Sequence, residues 1–199
     1  MKSNVCKIEK GTKDLEAILR ESEKVAVYNE LDHKQTLQLR LICEEVDGML
    51  PSIVDDFQGD FWIEFEDGIC KVNVSIKAKK ITAGKKEELI GIAKNKKNAA
   101  AVGVVGKIRC AIENFFTDDA AIKSFGASAD THTMNGPAAR MDYSYFLWSM
   151  EQYKNSVKEQ QKEDEFDELE KSIIANLADD VIVGVKGKQA TIVVIKKFQ

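Results

Sequence analysis

Residue types that commonly do chemistry are scarce and scattered in this chain of 199 residues. Its two histidines are His33 and His132, and its four cysteines lie far apart without a Cys-x-x-Cys pair. Zinc centres need clustered cysteine and histidine ligands, so we predict no metal site. His132 lies in a polar loop at 126–136, where it could act as a base or ligand, but no Asp or Ser partner stands at motif spacing. We interpret the cysteines as small buried side chains of a reducing compartment.

A glycine-rich stretch precedes a lysine in the middle of the chain, where residues 103–107 read GVVGK. A phosphate-binding P-loop has a glycine five residues before its last glycine and a serine or threonine after its lysine. Ala101 and Ile108 occupy those two positions here. We therefore interpret the glycines as sites of close helix packing.

Aromatic side chains cluster between residues 143 and 153. The spacing of the apolar residues predicts one helix over 143–157. Large aromatic side chains are typical anchors of protein interfaces, and a place in the core is the other interpretation. The residues that we predict to contact a partner protein are Tyr143, Phe146, Trp148 and Tyr153.

Composition places this chain among soluble globular proteins, with 44% hydrophobic and 31% charged residues and only two prolines. No run of about 18 apolar residues is present, which argues against a membrane-spanning helix. The first ten residues also lack the apolar core of a signal peptide. We predict a cytoplasmic protein with no membrane association.

Charge is unevenly distributed around a net value of −4. Ten basic residues lie from Lys77 to Arg109, opposed only by Glu87 and Glu88, and an acidic cluster follows within 159–180. Such a basic stretch can attract a polyanion. No aromatic residues alternate with its lysines, as stacking on bases would require. We therefore do not expect nucleic acid as the partner, and two segments that face each other, or two solvated surfaces, explain the pattern.

Hydrophobic spacing predicts an α+β chain. An edge strand is expected at 4–9, a helix follows to Asn29, and a second helix runs from a cap at Asp32 to Pro51. The predicted apolar stripe of this second helix consists of Leu37, Leu41, Ile42, Val46 and Met49. Asp-Gly at 67–68, between two alternating runs, predicts a hairpin. Helices at 102–115 and 166–177 and a closing hairpin over 181–195 complete the expectation.

This order of elements resembles the GHKL (Bergerat-fold) ATPase superfamily, and within it the anti-sigma-factor serine kinases and histidine-kinase-like ATPase domains. The matching stretches are LRLICEEV at 39–46 and LADDV at 177–181. The resemblance covers residues 5–78 and 166–197. It implies a two-layer α+β sandwich with a mixed, mainly antiparallel sheet and helices on one face.

The resemblance also implies a catalytic carboxylate, because Glu45 matches the conserved Glu of the second helix. In that family an Asn four residues later holds magnesium on the nucleotide phosphates, and Met49 stands there. Alignment on Glu44 instead puts Gly48 at the Asn position. Neither side chain can ligate magnesium.

Two further nucleotide motifs of that family are altered at the residues that contact the nucleotide. The Asp that accepts the adenine amino group corresponds to Ala78, and the first glycine after it corresponds to Lys80. The glycines of the last motif correspond to Glu168 and Glu170, whose carboxylates would repel a triphosphate.

We therefore predict a single GHKL-like domain over 1–199, in which residues 80–163 form a helical insertion that replaces the ATP lid. The resemblance implies a bacterial regulatory protein, and the altered motifs favour binding of a regulatory protein partner over turnover of ATP. The alternative is an active ATP-binding protein or serine kinase, with ATP or ADP and Mg²⁺ as cofactors. Apart from that alternative no cofactor is expected, and a homodimer is left open.

Overall fold

The structure is a computed structural model that describes residues 1–11, 15–54, 56–78, 103–117, 146–159, 172–186 and 189–198. The strands of this described part are β1 (Cys6–Glu9), β2 (Phe57–Glu66), β3 (Ile69–Ala78), β4 (Phe146–Ser149), β5 (Asp180–Lys186) and β6 (Gln189–Lys197). Its helices are α1 (Leu15–Tyr28), α2 (His33–Ile53), α3 (Gly103–Thr117), α4 (Met150–Glu159) and α5 (Ile173–Leu177). The predicted α+β class is confirmed.

The described strands form one six-stranded sheet in the order β1-β2-β3-β6-β5-β4. Every neighbouring pair in it is antiparallel. The prediction of a mixed, mainly antiparallel sheet is therefore right in the main orientation, and no parallel pair occurs among the described strands. The final hairpin, β5–β6, joins the sheet because β6 pairs with β3. Strands from the first and last parts of the chain therefore belong to one sheet.

The turn between β2 and β3 forms as its sequence predicts. Asp67 and Gly68 have φ values of 52° and 75°, the left-handed pair that a two-residue hairpin turn needs. Glycine adopts this conformation without steric cost, and aspartate is among the residues that tolerate it best. The turn fixes the register from Glu66 opposite Ile69 to Phe57 opposite Ala78.

The hydrophobic core lies between the helices and one face of the sheet. Alternate side chains of β2, such as Phe61 and Ile63, are almost fully buried against helical residues that include Ile18 and Leu39. Residues of all five described helices contribute to this core. The described part is thus a two-layer arrangement with its helices on one face. None of its helices has the length and apolar character needed to span a membrane.

Helix α2 begins as predicted and ends later. The Asp32 side chain accepts a hydrogen bond from the backbone N–H of Gln35, whose own side chain accepts one from the Asp32 N–H, a complete capping box. Pro51 lies inside the last turn, and the helix continues to Ile53. Pro51 has no N–H to donate to the carbonyl four residues earlier, which weakens this last turn, and the helix ends two residues later.

The predicted apolar stripe of α2 is partly wrong. Leu37 and Leu41 are 45% and 41% exposed, whereas Leu39 and Leu50 are fully buried. Ile42, Val46 and Met49, also predicted, do face the core, together with Cys43 and Ile53. Helix α2 therefore buries the side that carries Leu39 and Leu50, and Leu37 and Leu41 lie on its exposed side.

The single helix predicted over 143–157 is wrong in its first half. Phe146–Ser149 is strand β4 at the sheet edge, paired with β5, and α4 begins at Met150. The spacing of apolar residues fits either structure over four residues, and pairing with β5 favours the strand. The region predicted to be a helical insertion therefore contributes a strand as well as α3 and α4. Residues 80–102, 118–145 and 160–163 lie outside the described residues.

The N-terminal segment is held to α1 through a buried carboxylate. Glu21, 9% exposed, accepts hydrogen bonds from the backbone N–H of Asn4 at 3.0 Å and from its side-chain amide at 3.2 Å. Lys24 donates another at 2.6 Å. Burial acts to raise the pKa of Glu21, but the hydrogen bonds from Lys24 and Asn4 and the charge of Lys24 outweigh it and lower the pKa.

We expect this contact to be lost in acid. The pKa of Glu21 is lower in the folded protein than in the unfolded chain. Its contribution to the unfolding free energy is therefore complete above about pH 4.3, and it disappears as the pH falls through the pKa of the folded protein. Urea unfolding of wild type and Glu21→Gln from pH 7 to pH 3 measures this. The difference in unfolding free energy should be constant near neutrality and shrink in acid. Glu23→Gln, two residues away on the exposed side of α1, is the control whose difference should stay small and flat; an equal acid dependence in both variants would contradict the assignment.

Candidate functional site

Glu45 lies in the middle of α2 with a half-exposed side chain. At 3.6 residues per turn it projects about 140° around the helix from Arg40. Arg40 itself binds Glu44 at 3.1 Å and reaches Glu23 of α1 at 3.3 Å. Glu45, by contrast, has no hydrogen bond or ion pair within the described ranges. Of the two carboxylates that sequence alignment offers, Glu45 is therefore the one available to a ligand.

The residues one turn beyond these carboxylates offer no oxygen ligand. Met49, four residues after Glu45, is 5% exposed and packs in the core. Gly48, four residues after Glu44, is exposed, and nothing lies within 4 Å of the place where a Cβ would stand. Magnesium prefers oxygen ligands in octahedral geometry, which a thioether or a glycine cannot supply. This flank of α2 thus holds a carboxylate without a second side-chain oxygen one turn further along.

Of the other positions that align with the nucleotide motifs, only Ala78 lies within the described residues. Ala78 closes strand β3. Lys80, Glu168 and Glu170 lie outside the described residues, as do the polar loop at 126–136 and its His132. His33, at the start of α2, is exposed.

Two of the aromatic residues predicted to bind a partner lie against the body of the protein. Trp148 is 8% exposed, with its ring centroid 6.2 Å from that of the half-buried Tyr153. The ammonium group of Lys107 lies 4.7 Å from the centroid of the Tyr153 ring, a cation–π contact that joins α3 to α4. Phe146 is in β4, and Tyr143 is outside the described residues. In this part of the chain Trp148 and Tyr153 hold elements together.

The GVVGK stretch forms the first turns of α3, as the helix-packing interpretation requires. Val104, Gly106 and Ile108 are buried, and the lysine ammonium is directed to the Tyr153 ring. A cation committed to an aromatic ring in a helix is not the lysine of a phosphate-binding loop.

A buried serine–aspartate pair was missed from the sequence. The Asp180 carboxylate accepts hydrogen bonds from the Ser149 hydroxyl at 3.0 Å and from the backbone N–H of Glu151 at 2.9 Å. The Ser149 oxygen also accepts from the N–H of Gln152 at 3.2 Å. The pair caps α4 and explains why the helix starts at Met150. Ser-x-x-Gln at 149–152 is the sequence signal that could have located this helix start.

The buried cysteines Cys43 and Cys70 are unsuited to nucleophilic chemistry. Cys43 and Cys70 are fully buried free thiols, and Cys6 is half-buried. Burial raises the pKa of Cys70 to about 12. Burial, with smaller effects of Cys70, Glu44 and Cys6, raises the pKa of Cys43 well above its usual value. Because only the thiolate attacks or binds metal, these side chains act as core residues. Within the residues searched, no three His, Cys, Asp or Glu side chains form a group that could hold a metal ion.

Comparison of this chain with protein-family models, with curated proteins and with solved structures finds no match.

Proposed function

We propose that this chain is a regulatory protein with a GHKL-like fold that acts by binding another protein and does not turn over ATP. The order of elements supports the fold: one strand, two helices, a hairpin and, at the end of the chain, a helix and a second hairpin. The two hairpins lie side by side in one sheet, and the helices cover one face of it.

The observation that carries the loss of ATP turnover is the burial of Met49. This residue stands one helical turn after Glu45, where a magnesium-binding oxygen would be needed, and its side chain is 5% exposed in the core. Without a bound cation, nothing on this turn offsets the charge of a nucleotide triphosphate, and Glu45 would add to the repulsion. A rotamer change cannot supply the missing oxygen.

Exposed apolar side chains on the outer side of the helical layer support binding of a protein. Val27 and Tyr28, at the end of α1, are 79% and 72% exposed. Leu37 and Leu41 lie one turn apart on α2, just after the connection between the two helices, and are nearly half exposed. Neighbouring exposed apolar side chains are typical of interaction surfaces. We therefore propose that the partner protein contacts this α1–α2 surface, and not the aromatic residues predicted from the sequence.

The alternative, a nucleotide-binding protein, is favoured by Glu45 itself. A half-exposed carboxylate without a partner among the described residues is available to orient a water or a hydroxyl group.

Calorimetric titration with ADP and with a non-hydrolysable ATP analogue, in the presence of Mg²⁺, separates the two functions. We expect no binding tighter than about 100 μM, which is about −5.5 kcal/mol. Tighter binding that Glu45→Gln weakens at least about tenfold would establish the alternative and refute the proposal. Glu44→Gln, which alters the neighbouring carboxylate held by Arg40, is the matched control.

The protein-binding half of the proposal is tested by native affinity capture followed by mass spectrometry. A partner that is retained by wild type should be lost with the double variant Leu37→Ser/Leu41→Ser. It should be retained with Ile173→Ser, a change of a similarly exposed side chain on α5. A partner retained equally by both variants would refute the α1–α2 surface as the contact.

A further inference from the structure

The face of the sheet opposite the helices carries a polar groove of about 480 Å³. Two rows of side chains run across its strands, in register. One row contains Glu9, Gln58, Lys77 and Gln189, and the next contains Lys7, Asp60 and Ser75. The floor between the rows is formed by Ile8 and Gly59. Its volume lies within the roughly 300–1,000 Å³ of small-molecule sites, and its polar lining favours a charged ligand.

Several hydrogen-bonding groups of the groove are not used by the protein. Ser75 is 8% exposed, and its oxygen accepts a hydrogen bond from the Gln189 amide. Its hydroxyl hydrogen has no acceptor within the described part of the chain. If the Gln189 amide is turned over, the serine donates instead and the amide N–H₂ is released. Either orientation leaves one donor without an acceptor beside the groove.

A cation lies next to this donor. Lys77 follows Ser75 by two residues on β3, so both side chains are on the same face, about 6.6 Å apart along the strand. Lys77 forms no hydrogen bond or ion pair with any described residue, and neither does the Gln58 amide opposite it in the ladder. An ammonium group, a hydroxyl and an amide together form a site for one carboxylate.

Carboxylates on the other side of the groove exclude a polyanion. Asp60 lies directly opposite Ser75 in the ladder, and Oδ1 of Asp60 accepts a hydrogen bond from Lys7 at 2.5 Å. An ionised carboxylate has room for further donors, so Asp60 can bind a second cation through Oδ2. Glu9 adds another negative charge at the end of the neighbouring row. Two carboxylates and two lysines thus line the groove, a balance of charge that favours a zwitterion over a phosphate.

We propose that this groove binds a small zwitterion of the α-amino acid class. Its carboxylate contacts Lys77 and Ser75, and its ammonium group contacts Asp60 and Glu9. The spacing of about 4.8 Å between β2 and β3 lets one α-carbon present both groups to the two strands. The site lies on the face of the sheet opposite the core helices, and Glu45 lies on one of those helices.

The experiment uses the full chain and the twenty L-amino acids, each at about 10 mM, in a thermal-shift assay followed by calorimetry. At least one of them should raise the melting temperature and bind with a Kd below about 1 mM. The N-acetyl and methyl-ester derivatives of that amino acid, which lack the ammonium and the carboxylate charge respectively, should each bind at least about tenfold more weakly. Binding of acetate or phosphate as tightly as the amino acid would overturn the zwitterion assignment.

Variants locate the ligand in this groove. Lys77→Gln alters an exposed position and should weaken binding at least about tenfold while circular dichroism stays unchanged. Lys71→Gln removes a lysine from the same face of the same strand, outside the groove, and should bind as wild type does. The proposal is overturned if no amino acid binds to the folded wild type at about 10 mM, or if Lys77→Gln binds as tightly as wild type.

Discussion

Replacement of Gly59 by alanine should destabilise the protein by about 3 kcal/mol, although it adds a single methyl group. A Cβ at this position would lie 2.2 Å from the backbone oxygen of Ser75 and 3.0 Å from the Cα of Ile76. Both atoms belong to the backbone of β3, which is paired on both sides, so they cannot move without disturbing two ladders. Urea unfolding followed by circular dichroism measures the loss.

Gly48→Ala is the matched control for this prediction. The same methyl group on α2 meets nothing within 4 Å. Glycine in a helix interior is less stable than alanine by about 0.5–1 kcal/mol, so the substitution should raise the unfolding free energy by that amount. The change in unfolding free energy should therefore be negative for Gly59→Ala and positive for Gly48→Ala. An unchanged unfolding free energy for Gly59→Ala would show that β2 and β3 are not packed this closely.

The second large effect is expected for Leu39→Ala, which should lower the unfolding free energy by about 3 kcal/mol. Leu39 is fully buried between α2 and the sheet. Truncation removes its burial and leaves a cavity that the sheet cannot close, since the β2–β3 ladder is continuous over ten residue pairs. The midpoint and slope of chemical unfolding, compared with wild type, give the value.

Leu41→Ala, two residues further along the same helix, should change stability by less than about 0.5 kcal/mol, because its side chain is 41% exposed. Comparison of the unfolding free energies of the two variants therefore shows which side of α2 is buried. A larger loss for Leu41→Ala than for Leu39→Ala would mean that the helix buries the stripe predicted from the sequence and not the one found.

The α2 result illustrates a limit of pattern reading. Leucines stand at 37, 39 and 41, an alternation that no single helix face can hold, so sequence periodicity does not decide which of them is buried. The predicted stripe was right at Ile42, Val46 and Met49 and wrong at Leu37 and Leu41. Packing against the sheet resolves the choice.

The same limit applies to the candidate site. Glu45 could be proposed from the sequence alone, and Met49 could be identified as unable to hold magnesium. The sequence could not distinguish Glu44 from Glu45, because only the ion pairs of Arg40 with Glu44 and Glu23 show which carboxylate is engaged.

By itself the sequence determined those features of this protein that depend on a few neighbouring residues. The Asp67-Gly68 turn, the Asp32 cap of α2, the edge strand and the two strands of the closing hairpin are all where local patterns predicted them. The turn and the cap are reliable signals because the interacting residues lie within one turn of chain, and the strands are indicated by the alternation of their own apolar side chains.

Only the tertiary structure decided that Phe146–Ser149 is a strand, that Trp148 is buried, and that the groove exists. Strand β4 forms because β5, more than 30 residues later, offers it an edge. The groove brings together side chains from β1, β2, β3 and β6, which the chain supplies at positions from Lys7 to Gln189. Contacts between residues so far apart leave no periodic trace in either segment, since their free energy is gained only when the whole sheet has formed.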